Sequence, residues 1–259
     1  MLTLEMMQRR WPHGNQHTPG LLEGVVAAAK PIFAKYGLTT PLAVAHAMAQ
    51  FSAECGQGLE MVESLNYSAQ GLLRTFPTHF TPDMAQRWEH NEKMIGMIAY
   101  GGRMGNAPPP STDGYDFRGA GFAQTTGRYG YKLLQATLDK FKAGFDILQQ
   151  PTLIMSPEHA LECGVADFLA CKCLPPSAKD DVKAVTKALN GGYNGLDERT
   201  RQLVLWKAEL GIGSTGTAAM VSAVAAAETT LAPSENPPLP NGPLEAVHDL
   251  GGDKGGAPA

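Results

Sequence analysis

Apolar residues recur along this chain at helical spacing, and no segment alternates between apolar and polar residues for long enough to predict a strand. The clearest apolar stripe covers residues 21–33. Thr39 or Thr40 then offers an N-cap, with Pro41 at the first helical position, and we expect the helix that begins there to end in the segment Gly56–Gly58. Later helices are predicted over residues 129–141, 158–171, 180–189 and 197–210. The pattern therefore predicts a mainly α-helical protein with extended loops.

The composition of the chain changes after Gly211. Residues 212–259 are rich in Ala, Gly and Pro and contain no aromatic residue, so this segment cannot build a core. Its one helix-prone piece, residues 218–231, has too few large apolar residues to cross a membrane. We therefore expect a folded domain over residues 1–211, a disordered tail over residues 212–259 and no membrane span.

Charge argues against a nucleic-acid partner. The chain has 21 Lys and Arg against 25 Asp and Glu, and the surplus of acid lies in the tail. The rest of the chain is neutral and has no run of basic residues interleaved with aromatic residues, which nucleic-acid binding favours. The first residues lack the apolar run of a secretory signal, so we expect synthesis in the cytoplasm.

The four cysteines are expected to remain thiols, because they are few and a cytoplasmic fold does not keep disulfides oxidised. A four-ligand zinc site is an alternative, built from His159, Cys163, Cys171 and Cys173. A single residue separates the last two cysteines, whereas zinc sites usually have a gap of at least two, so we expect neither a metal nor a cofactor.

Two glutamates are candidates for acid and base catalysis. Glu54 lies at the expected C-terminal end of a helix, where the helix dipole does not favour a carboxylate. Glu63 follows after a glycine-containing break, which allows both side chains to face one groove. Glycoside hydrolysis needs this pair: a protonated acid for the leaving oxygen and a carboxylate that activates water. The alternative is that Glu54, Glu60 and Glu63 form an ordinary solvated surface.

The segment 113–131 gathers glycines, hydroxyls, an amide and aromatic rings. Sugar hydroxyls bind amide and hydroxyl groups, and the apolar face of a sugar ring stacks on aromatic rings. We therefore interpret this segment as a sugar-binding loop. Its Arg118 is predicted to brace the loop rather than to pair with Glu54 or another acid of the cleft. Among the tryptophans, Trp206 is predicted to be a core residue, and Trp88 is the better candidate for a sugar-stacking wall.

Four separated segments of the chain resemble glycoside hydrolase family 19, the chitinase-like group that includes many phage endolysins. The segments are Ala53–Gly56, Glu63–Ala69 with Leu72–Pro77, Tyr100–Asn106 leading into residues 113–131, and Val185–Arg199. They follow the order of the family over roughly residues 40–210. The chain departs from the family at Ala53, where His is usual, at Ser64 and at Gly130, where Asn is usual.

The resemblance implies a mostly helical, lysozyme-like fold of two lobes with a substrate cleft, and hydrolysis with inversion at the anomeric carbon. It implies that Glu54 is the general acid, that Glu63 is the general base and that Thr126 holds the attacking water. It also implies sugar-binding roles for Gln124, Tyr129 and Asn190.

We therefore expect a monomeric glycosidase that cleaves β-1,4 linkages of N-acetylhexosamine polymers, with peptidoglycan as the substrate. A chitinase and a non-catalytic glycan-binding relative are the alternatives. The chain shows no signal peptide, disulfide set or chitin-binding module, and we therefore expect peptidoglycan rather than chitin as the substrate. Action in the periplasm or cell wall, after release by a holin or export by another machine, fits this expectation.

Overall fold

The computed structural model describes residues 1–213, and this part of the chain is mainly α-helical, as predicted. Its α-helices are α1 (Leu4–Arg10), α2 (Leu21–Lys35), α3 (Pro41–Glu54), α4 (Ala69–Thr75), α5 (Pro82–Trp88), α6 (Glu92–Tyr100), α7 (Asp113–Asp116), α8 (Gly127–Lys140), α9 (Ala160–Ala170), α10 (Leu174–Ala178), α11 (Val182–Asn190) and α12 (Leu196–Glu209). Two short 3-10 helices cover Gly56–Gly58 and Pro151–Met155.

Residues 1–213 contain isolated β-bridges but no β-strand, in agreement with the pattern of apolar residues. None of the helices in this range is long and apolar enough to cross a membrane. The tail predicted over residues 212–259 lies outside the described residues except for Ile212 and Gly213, and the division at Gly211 stays a prediction.

Helix α3 begins as its sequence predicts. The Thr40 hydroxyl accepts a hydrogen bond from the Ala43 amide at 3.2 Å, and Pro41 occupies the first turn, where its missing amide is not needed. Most of α3 is buried against α9, α10, α11 and α12, with the most extensive packing against α12. The helix ends at Glu54, two residues before the first glycine of the predicted break, Gly56, which has a left-handed φ of 52°.

The apolar side chains form two separate clusters. The larger cluster contains residues of α1, α2, α3, α8, α9, α11 and α12. The smaller cluster is built on α4, α5 and α6, and its buried members are Leu65, Leu72, Phe76, Phe80, Ala85, Ile95, Ala99 and Tyr100. Met61 belongs to the larger cluster and Leu65 to the smaller, so Glu63 lies where the chain passes from one cluster to the other.

A buried serine joins two tryptophans in the larger cluster. The indole nitrogens of Trp11 and Trp206 each donate a hydrogen bond of 2.8 Å to the Ser52 hydroxyl, which donates to the Met48 carbonyl at 2.7 Å. Both tryptophans are fully buried, which confirms the prediction that Trp206 is a core residue. The hydroxyl therefore uses its full hydrogen-bonding capacity and links α1, α3 and α12.

Replacement of Ser52 by alanine is expected to lower the free energy of unfolding by roughly 2–4 kcal/mol, because two buried indole N–H groups lose their acceptor. Ser177→Ala is the matched control, since this buried hydroxyl donates only to the Leu174 carbonyl. The control is expected to cost about 1 kcal/mol. Chemical denaturation of both variants measures the difference, and equal losses would contradict a special role for Ser52.

Candidate active site

Glu54 is the last residue of α3, and its carboxylate is bound by two side chains from other elements. Arg199 Nη2 of α12 donates to Oε1 at 2.7 Å, and Asn190 Nδ2 at the end of α11 donates to the same oxygen at 3.4 Å. The side chains of Glu54 and Arg199 are 5% and 4% exposed. The structure thus brings together two residues that the sequence predicts for the site, Glu54 and Asn190.

Arg199 binds two further groups besides the Glu54 carboxylate. Its Nη1 donates to Gln50 Oε1 at 2.6 Å, and its Nε donates to the Asn194 carbonyl at 3.0 Å. Gln50 lies one turn before Glu54 on α3, so the guanidinium binds two neighbouring side chains of one helix and the loop that precedes α12. Sequence analysis does not single out Arg199, although it closes the last of the four segments that resemble the family.

Glu63 is held by neutral donors. The Tyr100 hydroxyl donates to Oε1 at 2.5 Å, and the Gly119 amide donates to Oε2 at 3.4 Å. The Glu63 amide donates to the Gly119 carbonyl at 2.7 Å, which ties the backbone to the same loop. Burial raises the pKa of Glu63, whereas the hydrogen bonds from Tyr100 and Gly119 and the charge of Arg118 lower it.

A tight hairpin brings Gln124 and Thr126 close to Glu63. Ala120 and Thr125 exchange backbone hydrogen bonds of 3.2 and 3.0 Å. A Cβ atom built on Gly119 would lie 3.2 Å from Gln124 Oε1, 3.2 Å from Thr126 Oγ1 and 3.6 Å from Glu63 Cβ. Three residues predicted for the site therefore meet around Gly119, where the missing side chain leaves space.

The free atoms of the hairpin side chains are mostly oxygens. Gln124 Nε2 donates to the carbonyls of Glu60 and Gly121 at 2.7 and 3.1 Å, and Thr126 Oγ1 donates to the Gln124 carbonyl at 2.9 Å. The lone pairs of the Thr126 hydroxyl and the Gln124 amide oxygen remain able to accept hydrogen bonds. Groups of this kind suit a water molecule or a sugar hydroxyl.

Tyr129 lies in the first turn of α8 and is 59% exposed. Its ring covers Gly105, where a Cβ would approach the ring to 2.7 Å. Tyr129 lines a cavity of about 710 Å³ together with Met104, Asn106, Asp113, Arg128 and neighbouring loop residues. Neither Glu54 nor Glu63 lines this cavity.

The loop is braced by two arginines. Arg128 binds both oxygens of Asp113 at 2.7 Å, and this ion pair lowers the pKa of Asp113 to about 2. Arg118 Nη1 donates to the Tyr115 carbonyl at 2.7 Å, and its guanidinium lies 3.9 Å from the centre of the Tyr115 ring. The prediction that Arg118 braces the loop is confirmed, and the arginine that pairs with Glu54 is Arg199.

The residues of the alternative zinc site have other surroundings. His159 stacks on Phe145 with ring centres 4.1 Å apart, and Cys163 and Cys173 are buried. In the part of the chain that the structure describes, no group of three or more His, Cys, Asp or Glu side chains could hold a metal ion.

Trp88, the candidate stacking wall, lies at the end of α5 with the Arg87 guanidinium 4.8 Å from the centre of its ring.

The two glutamates can perform different chemistry. Both donors to Glu54 bind Oε1, and within residues 1–213 no donor binds Oε2. Glu63 has hydrogen bonds to both oxygens from neutral groups, which suits a carboxylate that accepts a proton. A helical protein with such a pair beside hydroxyl and amide groups has the features of a glycoside hydrolase.

Comparison with known proteins identifies the family. A scan of the chain against models of protein families finds no match. The glycosyl hydrolase family 19 domain-containing protein of Haemophilus influenzae is 31% identical over 188 residues, which are 72% of this chain and 90% of the relative. The chain therefore belongs to glycosyl hydrolase family 19, which confirms the resemblance found in its sequence.

Arg199→Lys is expected to lower the free energy of unfolding by about 2 kcal/mol or more, because one ammonium cannot bind three acceptors that the guanidinium binds at fixed angles. Arg201→Lys is the control, because its pair with Glu198 lies within one helix and is partly exposed. The control is expected to lose less than about 1 kcal/mol. Urea denaturation measures both, and equal stability of Arg199→Lys and wild type would contradict this account.

Proposed function

We propose that this protein is an inverting glycosidase that hydrolyses β-1,4 linkages in N-acetylhexosamine polymers, with peptidoglycan as the natural substrate. The observation that carries the proposal is the contrast between the two glutamates. Glu54 is bound through a single oxygen by Arg199 and Asn190, and Glu63 is bound through both oxygens by Tyr100 and Gly119. Membership of the family supports glycosidase activity. We assign roles in that activity to these residues below.

Glu54 is the general acid in this proposal. Arg199 and Asn190 fix Oε1, so the proton lies on Oε2 and faces the oxygen that links two sugars. As the bond between that oxygen and the anomeric carbon breaks, the proton moves from Oε2 to the leaving oxygen. Glu54 is left as a carboxylate beside the Arg199 guanidinium, which stabilises the negative charge that forms.

Glu63 is the general base. It accepts one proton of a water molecule while the water oxygen attacks the anomeric carbon from the face opposite the leaving group. The Thr126 hydroxyl donates to a backbone carbonyl, so it can accept a hydrogen bond from this water and orient it. Attack from the opposite face inverts the configuration, and inverting enzymes hold their carboxyls about 6.5–9.5 Å apart to leave room for water.

The sugar chain binds, in this proposal, in a cleft between two lobes. The two separate apolar clusters support that arrangement, because α3 with Glu54 packs into the larger cluster and the Tyr100 ring packs into the smaller. Gln124, Asn190 and the exposed Tyr129 supply amide and aromatic contacts for the sugars.

Peptidoglycan is proposed over chitin because the chain resembles the endolysin-type members of the family. Peptidoglycan lies in the periplasm and cell wall, so we place the activity of this protein there. We propose a monomer as the active form.

Wild-type protein is expected to release reducing ends from purified peptidoglycan, with the new end appearing first as the α anomer in proton NMR spectra. Glu54→Gln and Glu63→Gln are each expected to lower this rate at least about a hundredfold, because each substitution removes the group that gives or accepts the proton. Chitin oligomers are measured in parallel.

Glu60→Gln is the control, since Glu60 is an exposed glutamate between the other two. Its rate is expected to remain within about twofold of wild type. Activity on chitin alone would make the protein a chitinase. Binding to both polymers without release of reducing ends would contradict a glycosidase and identify a glycan-binding relative, and a β product would contradict inversion.

Tyr100→Phe is expected to move the acidic limb of the pH profile of kcat/KM upward by about half a pH unit. Glu63 must be ionised to accept a proton, so activity rises as pH passes its pKa. The Tyr100 hydrogen bond lowers that pKa, and its loss therefore raises it. Tyr67→Phe is the control, because within residues 1–213 the Tyr67 hydroxyl lies near Glu63 but donates no hydrogen bond to it. An acidic limb that stays in place in Tyr100→Phe would contradict the base role of Glu63.

A further inference from the structure

Glu54 is the last of three buried polar side chains that α3 carries at intervals of four residues. His46, Gln50 and Glu54 lie on one face of the helix, and their partners come from α11, from α12 and from the turn before α11. The mechanism above uses only Glu54. A fully buried amide such as that of Gln50 has lost its water and costs stability unless protein groups bind both of its ends, which calls for a reason.

The amide of Gln50 is bound at both ends by side chains of other helices. Its Oε1 accepts from Arg199 Nη1 of α12 at 2.6 Å, and its Nε2 donates to Thr186 Oγ1 of α11 at 3.2 Å. The Thr186 hydroxyl is also fully buried and donates to the Val182 carbonyl at 2.8 Å. One amide therefore links the guanidinium that binds Glu54 to the body of α11.

The donors and acceptors in this chain of hydrogen bonds can point in one direction only. A guanidinium has no acceptor, so the Gln50 oxygen has to face Arg199 and the Gln50 nitrogen has to face Thr186. The Thr186 hydroxyl accepts that bond and gives its own proton to the Val182 carbonyl. A flipped amide would set two donors against each other at Arg199, so Thr186 and Arg199 together fix the orientation of Gln50.

Gln50 in turn completes the set of acceptors that holds Arg199. Nε binds the Asn194 carbonyl, Nη1 binds Gln50 and Nη2 binds Glu54, so acceptors in three directions define both the plane and the place of the guanidinium. Without Gln50, one edge of the guanidinium has no partner, and Nη2 is no longer held at the Glu54 carboxylate from the opposite side.

We propose that Gln50 and Thr186 are positioning residues of the active site, which fix the Arg199 guanidinium so that Nη2 meets Oε1 of Glu54. The inference rests on the proposed function, because it gives the two residues a part in placing the proposed acid. Both side chains are fully buried and touch no substrate, so they act through Arg199 alone. Their loss lowers the rate of the chemical step and leaves substrate binding in place.

Ser52 provides a matched control for a purely structural contribution. It lies between Gln50 and Glu54 on α3, is buried, and likewise joins the helix to α12, through the indole of Trp206. Its hydroxyl binds Trp11, Trp206 and the Met48 carbonyl, and none of these groups holds Arg199 or Glu54. If buried polar contacts of α3 matter only for stability, Ser52→Ala and Gln50→Met have the same effect on the reaction.

The kinetic test uses whichever polymer the wild type hydrolyses, at a temperature at which denaturation curves show every variant to be folded. We expect kcat to fall about tenfold or more in Gln50→Met and about threefold in Thr186→Val, with KM within about twofold of wild type. Thr186→Ser keeps the hydroxyl and is expected to restore kcat to within about twofold, and Ser52→Ala is expected to keep kcat within the same range. Thr186→Val carries the test if Gln50→Met does not fold.

The guanidinium itself provides a second measurement, which does not depend on activity. NMR spectra of protein with isotope-labelled arginine report the rotation of each guanidinium about its Nε–Cζ bond, and the Arg199 signals are assigned by their absence from Arg199→Lys. In wild type, the two Nη groups have different partners, so we expect slow rotation and separate Nη signals. In Gln50→Met and Thr186→Val these signals are expected to broaden or merge, whereas Ser52→Ala leaves them separate.

The outcomes distinguish this inference from the function on which it rests. A wild type that hydrolyses neither polymer overturns the proposed function and the positioning role with it. An active wild type overturns the inference alone if kcat of both Gln50→Met and Thr186→Val stays within about twofold, if Ser52→Ala loses as much kcat as they do, or if their Arg199 signals stay separate. A loss of kcat at constant KM, with rescue by Thr186→Ser and faster rotation of Arg199, supports it.

Discussion

The position of Glu54, the proposed acid, depends on one buried guanidinium. Arg199 binds the carboxylate and the amide of two successive turns of α3 and the carbonyl of the loop before α12. A charge with 4% exposure is tolerated only because its partners are held at the right angles, so the packing of α3 against α12 and the conformation of the loop have to agree. The Ser52 hydroxyl, between Gln50 and Glu54 on α3, binds Trp206 of α12 and so joins the same two helices about two turns further along α12.

Charge and burial separate the roles of residues that are chemically alike. Glu54 has a cation on one oxygen, whereas Glu63 has only neutral hydrogen-bond donors. Acid and base catalysis by a pair of carboxyls requires two different environments of this kind.

Local signals in the sequence predict the long helices and much of the site. Thr40 and Pro41 mark the start of α3, and the long helices carry enough apolar repeats to be recognised. The short helices α4, α5 and α6 escape prediction because seven to nine residues give few repeats. The family resemblance points to Glu63, Thr126 and Gln124 together. The partners of the two glutamates could not be predicted, since Arg199 and Tyr100 are typical of a surface or a core until the fold brings them to the site.

Glu63 receives its two hydrogen bonds from different apolar clusters, because the chain passes from one cluster to the other at this residue. One of its hydrogen bonds comes from Tyr100 of the smaller cluster, and the other comes from Gly119, whose neighbours Phe117 and Ala120 belong to the larger. A local opening of α4, α5 and α6 would remove the hydrogen bond from Tyr100 to Glu63, while α3, Arg199 and Glu54 stay in place. A rise in temperature that opened the smaller cluster first would remove this hydrogen bond from Glu63 before the larger cluster unfolds.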